Sequence, residues 1–185
     1  MAPKDIDQRL RKTRIIVCDV DGVLTDGGVT FDADGRPMRT FQARDLAGFT
    51  LWRLAGGQSA LVSGLGSKAM ETLADRWQCA ECRMWTKDKR RACEEIAAAH
   101  GLGLDEMAFL GDDIIDLRAV EAVGLGVAVA DAAPKLLAAA DLVTHAAGGE
   151  GALRELVERI LVAQGRFDQV LAAYCSREDP PQEDD

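Results

Sequence analysis

Two carboxylates one residue apart, Asp19 and Asp21, close the apolar run Ile15-Ile16-Val17-Cys18. In an extended segment residues i and i+2 point to the same side, so both acids face one crevice. They repel unless a cation sits between them or they hold different protonation states, and either arrangement can do chemistry. Three further polar groups follow in order: Ser63-Gly64, then Lys89 within the basic run Lys87 to Arg91, then Asp112, Asp113 and Asp116 after Gly111. Acids are favoured at a helix start, which accounts for one or two of the last three but does not require all of them. Together the groups suit metal-assisted transfer of a phosphoryl group to a carboxylate. Asp19, Asp112 and the backbone carbonyl of Asp21 can hold Mg²⁺, which takes few carboxylate oxygens and keeps its waters. Asp19 is the candidate nucleophile and Asp21 the candidate acid and base. Ser63 can donate to a phosphoryl oxygen, and Lys89 can offset transition-state charge. Asp113 and Asp116 fit supporting or ligand roles.

The elements that must position these groups read as alternating strands and helices. Ile15 to Cys18 lacks polar alternation, as expected of a strand buried on both faces of a parallel sheet. A hairpin is expected over Val29 to Phe41, turning at Asp32-Ala33-Asp34-Gly35. Asp45 is expected to cap the helix carrying Phe49, Leu51, Trp52 and Leu54. Strands follow at Ser59 to Val62, around Cys82 to Trp85, and at Met107 to Leu110, Leu125 to Ala130 and Asp141 to Thr144, with helices between them and a last helix from Ala152 to Ala163. Beyond Gly165 the chain is expected to fray, and the acidic, proline-containing segment 176–185 is expected to be disordered. The order predicts an α/β fold, a doubly wound, mostly parallel Rossmann-like sheet forming one domain over residues 1–175, with ligands bound beyond the strands' carboxyl ends.

Composition narrows the function. The 185 residues are 48% apolar, enough to fill one core. No apolar run is long enough to cross a membrane and the first ten residues lack a signal-peptide core, so a cytoplasmic protein is expected. A net charge of −9 disfavours nucleic acid and anionic lipid as partners, although about four of those charges lie in the acidic tail. Five cysteines are then expected to be reduced. Cys79 and Cys82 form a lone Cys-x-x-Cys pair with no second pair, read as small apolar residues around a strand in preference to a zinc or redox site. His100 and His145 are read as helix-end or surface residues.

The ordered motifs Asp19-Val-Asp21-Gly-Val-Leu-Thr-Asp26, Ser63-Gly64, Lys89 and Gly111-Asp112-Asp113-Ile-Ile-Asp116 resemble those of the haloacid dehalogenase superfamily of phosphatases. The hairpin after the first motif, the lack of an inserted cap domain, Val129 to Ala132, Ala147 to Glu155 and Ala163-Gln164-Gly165 resemble its 3-deoxy-D-manno-octulosonate 8-phosphate phosphatases. That resemblance implies a capless, homotetrameric, Mg²⁺-dependent enzyme of lipopolysaccharide precursor synthesis whose neighbouring subunits close the site. The substrate implied is a small phosphorylated sugar acid, with Arg44 and Gly64 as candidate substrate contacts. Against the family pattern, Leu65, Leu73 and Glu150 stand where arginines are usual, and Leu46 where glycine is. These positions bear on recognition of an anionic sugar acid, for which Arg36, Arg39, Arg44 and Lys68 are candidate substitutes. A phosphatase of a different small phosphate ester and a catalytically silent scaffold are the alternatives. A receiver-type signalling switch fits the motif order poorly, because its acceptor aspartate follows an earlier acidic pair.

Overall fold

The computed structural model describes residues 5–66 and 68–176, so the tail expected at 176–185 lies, apart from Ser176, outside the described residues. Strands β1 (Ile15–Cys18), β4 (Gln58–Val62), β5 (Glu81–Arg83), β6 (Met107–Gly111), β7 (Leu125–Ala128) and β8 (Leu142–Val143) form one parallel sheet in the order β5-β4-β1-β6-β7-β8. The chain winds outward from β1 to β5, returns across the sheet to β6, and then winds the other way. β1 is therefore flanked by β4 and β6, with Ile15 opposite both Gln58 and Met107. This is the switch point at which doubly wound sheets open a crevice beyond their carboxyl ends. All four β1 residues are fully buried, as the unbroken apolar run requires of a central strand.

Helices α1 (Ile6–Lys12), α2 (Ala43–Leu54), α7 (Ala152–Ala163) and α8 (Phe167–Cys175) pack together on one face, and α4 (Lys89–Ala99), α5 (Leu117–Ala122) and α6 (Pro134–Ala139) cover the other. Helix α3 (Lys68–Arg76) joins β4 to β5, and just beyond it Trp77 stacks on Phe49 of α2 with ring centroids 4.8 Å apart. Helix α7 buries Leu153, Leu156, Val157, Ile160 and Leu161, a spacing of three and four residues that makes one apolar stripe. It meets α2 closely, because Gly48 has no side chain: a Cβ there would lie 3.1 Å from Arg154 Cα. Between β1 and α2 the chain forms a separate antiparallel hairpin, β2 (Thr30–Phe31) with β3 (Pro37–Met38), pairing Thr30 with Met38. No cap domain interrupts the described connections.

Three expectations need correction. Asp45 does not cap its own helix; Gln42 precedes α2, and Asp45 is buried within its first turn. Its carboxylate instead accepts from the backbone N–H of Arg154 at 3.1 Å and caps α7, a tertiary contact that ties α2 to the glycine turn before α7. Burial raises its pKa to about 6, against the opposing pull of the Arg154, Leu153 and Gly151 amides. The chain does not fray after Gly165: α8 follows, and Val170 is buried against the core. Strand β5 ends at Arg83, earlier than expected, because Arg83 accepts from Ser63 N and the chain then turns along the segment after β4.

Candidate active site

The first acid leaves β1 with its carboxylate fixed on both sides. Asp19 Oδ1 accepts from the amide of Val20 at 2.7 Å, and Oδ2 meets Lys89 Nζ at 2.5 Å. Lys89, the first residue of α4, is 1% exposed and reaches Asp116 Oδ1 at 2.6 Å as well. Asp88 sets that helix start by accepting from Arg91 N, which aims Lys89 inward. Asp116, fully buried, takes the amides of Asp112 (3.0 Å) and Asp113 (3.3 Å) on its other oxygen. It thereby folds the loop after β6 around the lysine. Asp113 turns outward and caps the 3₁₀ turn Ile114–Asp116 through Ile114 N at 2.7 Å.

Asp112 is the exception to this pairing. Its Oδ1 is buried and has no hydrogen-bond partner. Such an oxygen is costly to leave unsatisfied, and its chemistry and burial fit a ligand to a cation. Carboxylate oxygens of Asp19, Asp112 and Asp116 lie within 4.8 Å of one another. Three acids thus face one ammonium, an excess of two negative charges that a divalent ion would balance. Burial, followed by the neighbouring acids, raises the pKa of Asp112 to about 7; burial and Asp116 raise that of Asp19 to about 6, against the pull of Lys89. Burial alone would lower the Lys89 pKa, but Asp19 and Asp116 outweigh it and hold the ammonium charged. Gly22, at φ +87°, lets the loop pass against Asp112, where any side chain would overlap that carboxylate. Asp19, Asp112 and the main-chain carbonyl of Asp21 fit a hard divalent cation; the side chain of Asp116 is already occupied.

Asp21 stands on the far side of the crevice. Arg39, from the end of the hairpin, donates to Asp21 Oδ1 at 2.5 Å and to Oδ2 at 3.4 Å, and Ser63 Oγ lies 3.3 Å from Oδ2. Ser63 in turn receives the amide of Leu65 at 3.1 Å, so its hydroxyl is held at the head of a tight turn. Asp19, Asp21, Ser63, Gly64, Lys89 and Asp112 line one cavity of about 320 Å³, with Leu65, Asp113 and Ile115 at its edge. The floor is polar, and the edge carries the apolar Leu65 and Ile115 beside the exposed Asp113. Behind it the turn Ala147 to Gly151 braces two loops: Gly149 N donates to Val23 O after β1 at 2.9 Å, and Gly148 N to Asp131 Oδ1 after β7 at 2.9 Å.

All the expected catalytic and metal residues converge. The substrate candidates divide. Arg44 is exposed and lies against Gly151, while Arg36 and Lys68 form exposed pairs with Asp32 and Asp34 and with Glu71. Leu73 lines a different, apolar cavity with Met38, Phe41 and Met70, and Glu150 is exposed in the glycine turn. The contact between Arg39 and Asp21 was not legible in the sequence, because it depends on the hairpin folding back over β1. Cys79 and Cys82 pack against the core, and burial pushes the Cys79 thiol up to about 12 and the Cys82 thiol above its ordinary value. His100 is the C-cap of α4, and His145 sits at the surface with its Nδ1 3.0 Å from Glu155.

A crevice of this composition on a doubly wound sheet defines a class, the haloacid dehalogenase-like hydrolases, and residues 65–156 match the family model of that description. The 3-deoxy-D-manno-octulosonate 8-phosphate phosphatase of Yersinia pestis is 35% identical over 164 residues, which are 89% of this chain and 88% of that one. The chain belongs to this phosphatase family. A crystal structure of the Moraxella catarrhalis phosphatase in complex with magnesium ion, phosphate ion and KDO superposes with a TM-score of 0.89 at 30% identity, covering 92% of this chain and 98% of that one. A cobalt-bound form of the Haemophilus influenzae phosphatase superposes at 0.85 with 34% identity, covering 89% and 99%.

The raised pKa values give a pH dependence whose sign is opposite to that of ordinary paired acids. A carboxyl whose folded pKa exceeds its unfolded value stabilises the fold while protonated, and that contribution is lost as pH rises from the unfolded value to the folded one. Asp19 and Asp45 climb from 3.8 to about 6, and Asp112 from 3.8 to about 7. Metal-free protein should therefore lose on the order of 10 °C in Tm between pH 5 and pH 7. Added magnesium should recover the part due to Asp19 and Asp112. Thermal unfolding with a chelator and with magnesium checks this; a Tm that rises with pH in the chelated protein would contradict the charge assignment.

Proposed function

We propose that this chain is a Mg²⁺-dependent phosphatase that hydrolyses 3-deoxy-D-manno-octulosonate 8-phosphate, or a related ulosonate phosphate, through an aspartyl-phosphate on Asp19. The observation that carries the reading is the buried, unpartnered oxygen of Asp112 beside Asp19 and Lys89. Magnesium, held by Asp19, Asp112 and the Asp21 carbonyl, would neutralise the phosphate against the acids as it enters. Lys89 holds Asp19 Oδ2 and keeps the carboxylate ionised and in one orientation, so that it can attack phosphorus in line. Ser63 Oγ donates to a phosphoryl oxygen, while Gly64 leaves room for the phosphate to approach the turn. Once Ser63 Oγ turns from Asp21 Oδ2, 3.3 Å away, to the phosphoryl oxygen, only Arg39 at 3.4 Å is left on that oxygen of Asp21. It gives a proton to the leaving sugar oxygen, then takes one from the water that attacks phosphorus and releases Asp19.

The family resemblance further supports a cytoplasmic homotetramer serving lipopolysaccharide precursor synthesis. Val29, Phe31 and Met38 are exposed on the hairpin, beside a cavity of about 600 Å³ lined by Pro37, Met38, Phe41, Met70 and Leu73 together with Arg39, Thr72 and Arg76. A second subunit covering this face would exclude water from a site that no cap closes. Sedimentation at micromolar concentration should show the tetramer; a fully active monomer would contradict it.

Leu65 borders the phosphate cavity where an arginine would reach a substrate carboxylate. A charge-assisted hydrogen bond contributes about 1.5 to 3 kcal/mol, or roughly one to two powers of ten in affinity. Leu65→Arg should raise kcat/KM for the octulosonate phosphate by about that factor and leave a neutral sugar phosphate nearly unchanged. Equal effects on both substrates would mean that other groups read the carboxylate. Phosphate release from a panel of sugar and sugar-acid phosphates, with and without magnesium, tests the function as a whole.

A further inference from the structure

Trp85 is held in a conformation that its residue type disfavours. Its φ is +59°, in the left-handed region where a bulky side chain crowds the following carbonyl, yet the residue is 70% exposed. The backbone around it is pinned to the phosphate-binding turn: Ser63 N donates to Arg83 O at 3.0 Å, Thr86 N to Ser63 O at 2.9 Å and Trp85 N to Leu65 O at 3.4 Å. The indole lies against Gly66, where an added Cβ would come within 2.6 Å of Nε1 and 2.8 Å of Cε2. One side of the ring system is thus packed on the turn, and the remainder is open to solvent beside Leu65, which borders the cavity. Strain kept at an exposed site, where no burial compensates it, points to a role in contact with something else.

We infer that Trp85 is a specificity-determining residue of the phosphatase site, an aromatic platform that takes the C–H face of a pyranose ring once the phosphate is seated at Ser63 and Lys89. This rests on the phosphatase reading and names the part of the substrate that the polar floor does not contact. Aromatic rings pack well on the apolar faces of such rings. The floor holds the phosphate by charge and is indifferent to what the phosphate carries. Leu65 and Ile115 at the cavity's edge, and Trp85 on the segment hydrogen-bonded to Leu65 just beyond it, are where leaving groups can be told apart.

The test compares glucose 6-phosphate, a pyranose, with glycerol 3-phosphate, which has no ring, in the full-length wild type, Trp85→Gly and Trp85→Phe with magnesium. Glycine relieves the positive φ, so Trp85→Gly should fold with a Tm within a few degrees of wild type. Its KM for the pyranose phosphate should rise on the order of five- to tenfold with kcat little changed. Its KM for glycerol 3-phosphate should stay put, and phenylalanine should restore most of the difference. A pyranose-to-glycerol ratio unchanged in Trp85→Gly overturns the inference while leaving the phosphatase reading intact. So does a change in oligomeric state with that ratio unaltered, which would make Trp85 a subunit contact. 3-Deoxy-D-manno-octulosonate 8-phosphate, itself a pyranose, is assayed beside them with the same expectation as glucose 6-phosphate, and failure of every protein to release phosphate from any of the three esters overturns both.

Discussion

Asp19→Asn should remove turnover, with kcat falling by on the order of 10⁴-fold or more, while the fold survives. The amide has nearly the shape of the carboxylate and can still accept from Val20 N, but it cannot attack phosphorus. The substitution also removes one of three acids crowded around a single ammonium, so lost attraction to Lys89 is offset by relieved repulsion from Asp112 and Asp116. Tm in the metal-free state should stay within a few degrees of wild type, and magnesium should raise it less than in wild type. Steady-state phosphate release and thermal unfolding check the two halves; substantial activity in the variant would leave Asp19 without its role.

Lys89→Met should be the most damaging single change to stability, and it should slow turnover as well. The ammonium is buried between Asp19 and Asp116, and its loss leaves two carboxylates in a dry site with no cation. Breaking a buried pair by removing one partner costs about 3 to 5 kcal/mol, or on the order of 10 °C in Tm for a domain of this size. The freed acids can take up protons, so the loss should be smaller at pH 5 than at pH 8. Turnover should fall about 10²- to 10³-fold as Asp19 loses its orientation and the phosphate loses a counter-charge. Unfolding at the two pH values separates this from simple loss of packing, which would cost the same at both.

Asp19, Asp21, Ser63 and Asp112 were legible in the sequence because each follows a strand whose apolar run is unmistakable, whereas Lys89 stood out from its basic run only by its position in the order of the polar groups. A buried parallel strand reads as an unbroken hydrophobic segment, and the polar residue that ends it must lie at the sheet's carboxyl edge. What the sequence concealed depends on contacts between distant segments. Asp45 has the type and place of a local cap, and nothing near it in the chain reveals that the amides it serves lie in α7. Arg39 looks like any hairpin arginine until the hairpin folds back to bring it onto Asp21. The conformation of Trp85 carries no local signal, since no glycine marks the turn and it is the pairing with residues 63–65 that imposes it. Helix α8 was visible in principle: Phe167, Val170, Leu171 and Tyr174 keep a helical spacing, but Gly165 was read as the end of order when it only ends α7.

The covalent step on Asp19 is open to direct chemical trapping. An aspartyl-phosphate is an acyl phosphate that borohydride reduces to homoserine, whereas a free carboxylate is not reduced. Wild-type protein quenched during turnover of 3-deoxy-D-manno-octulosonate 8-phosphate with magnesium, reduced and digested should carry homoserine at position 19, and the same treatment without substrate should leave Asp19 intact. Homoserine at Asp21 or Asp112 instead, or none at position 19 while phosphate is being released, would contradict the account.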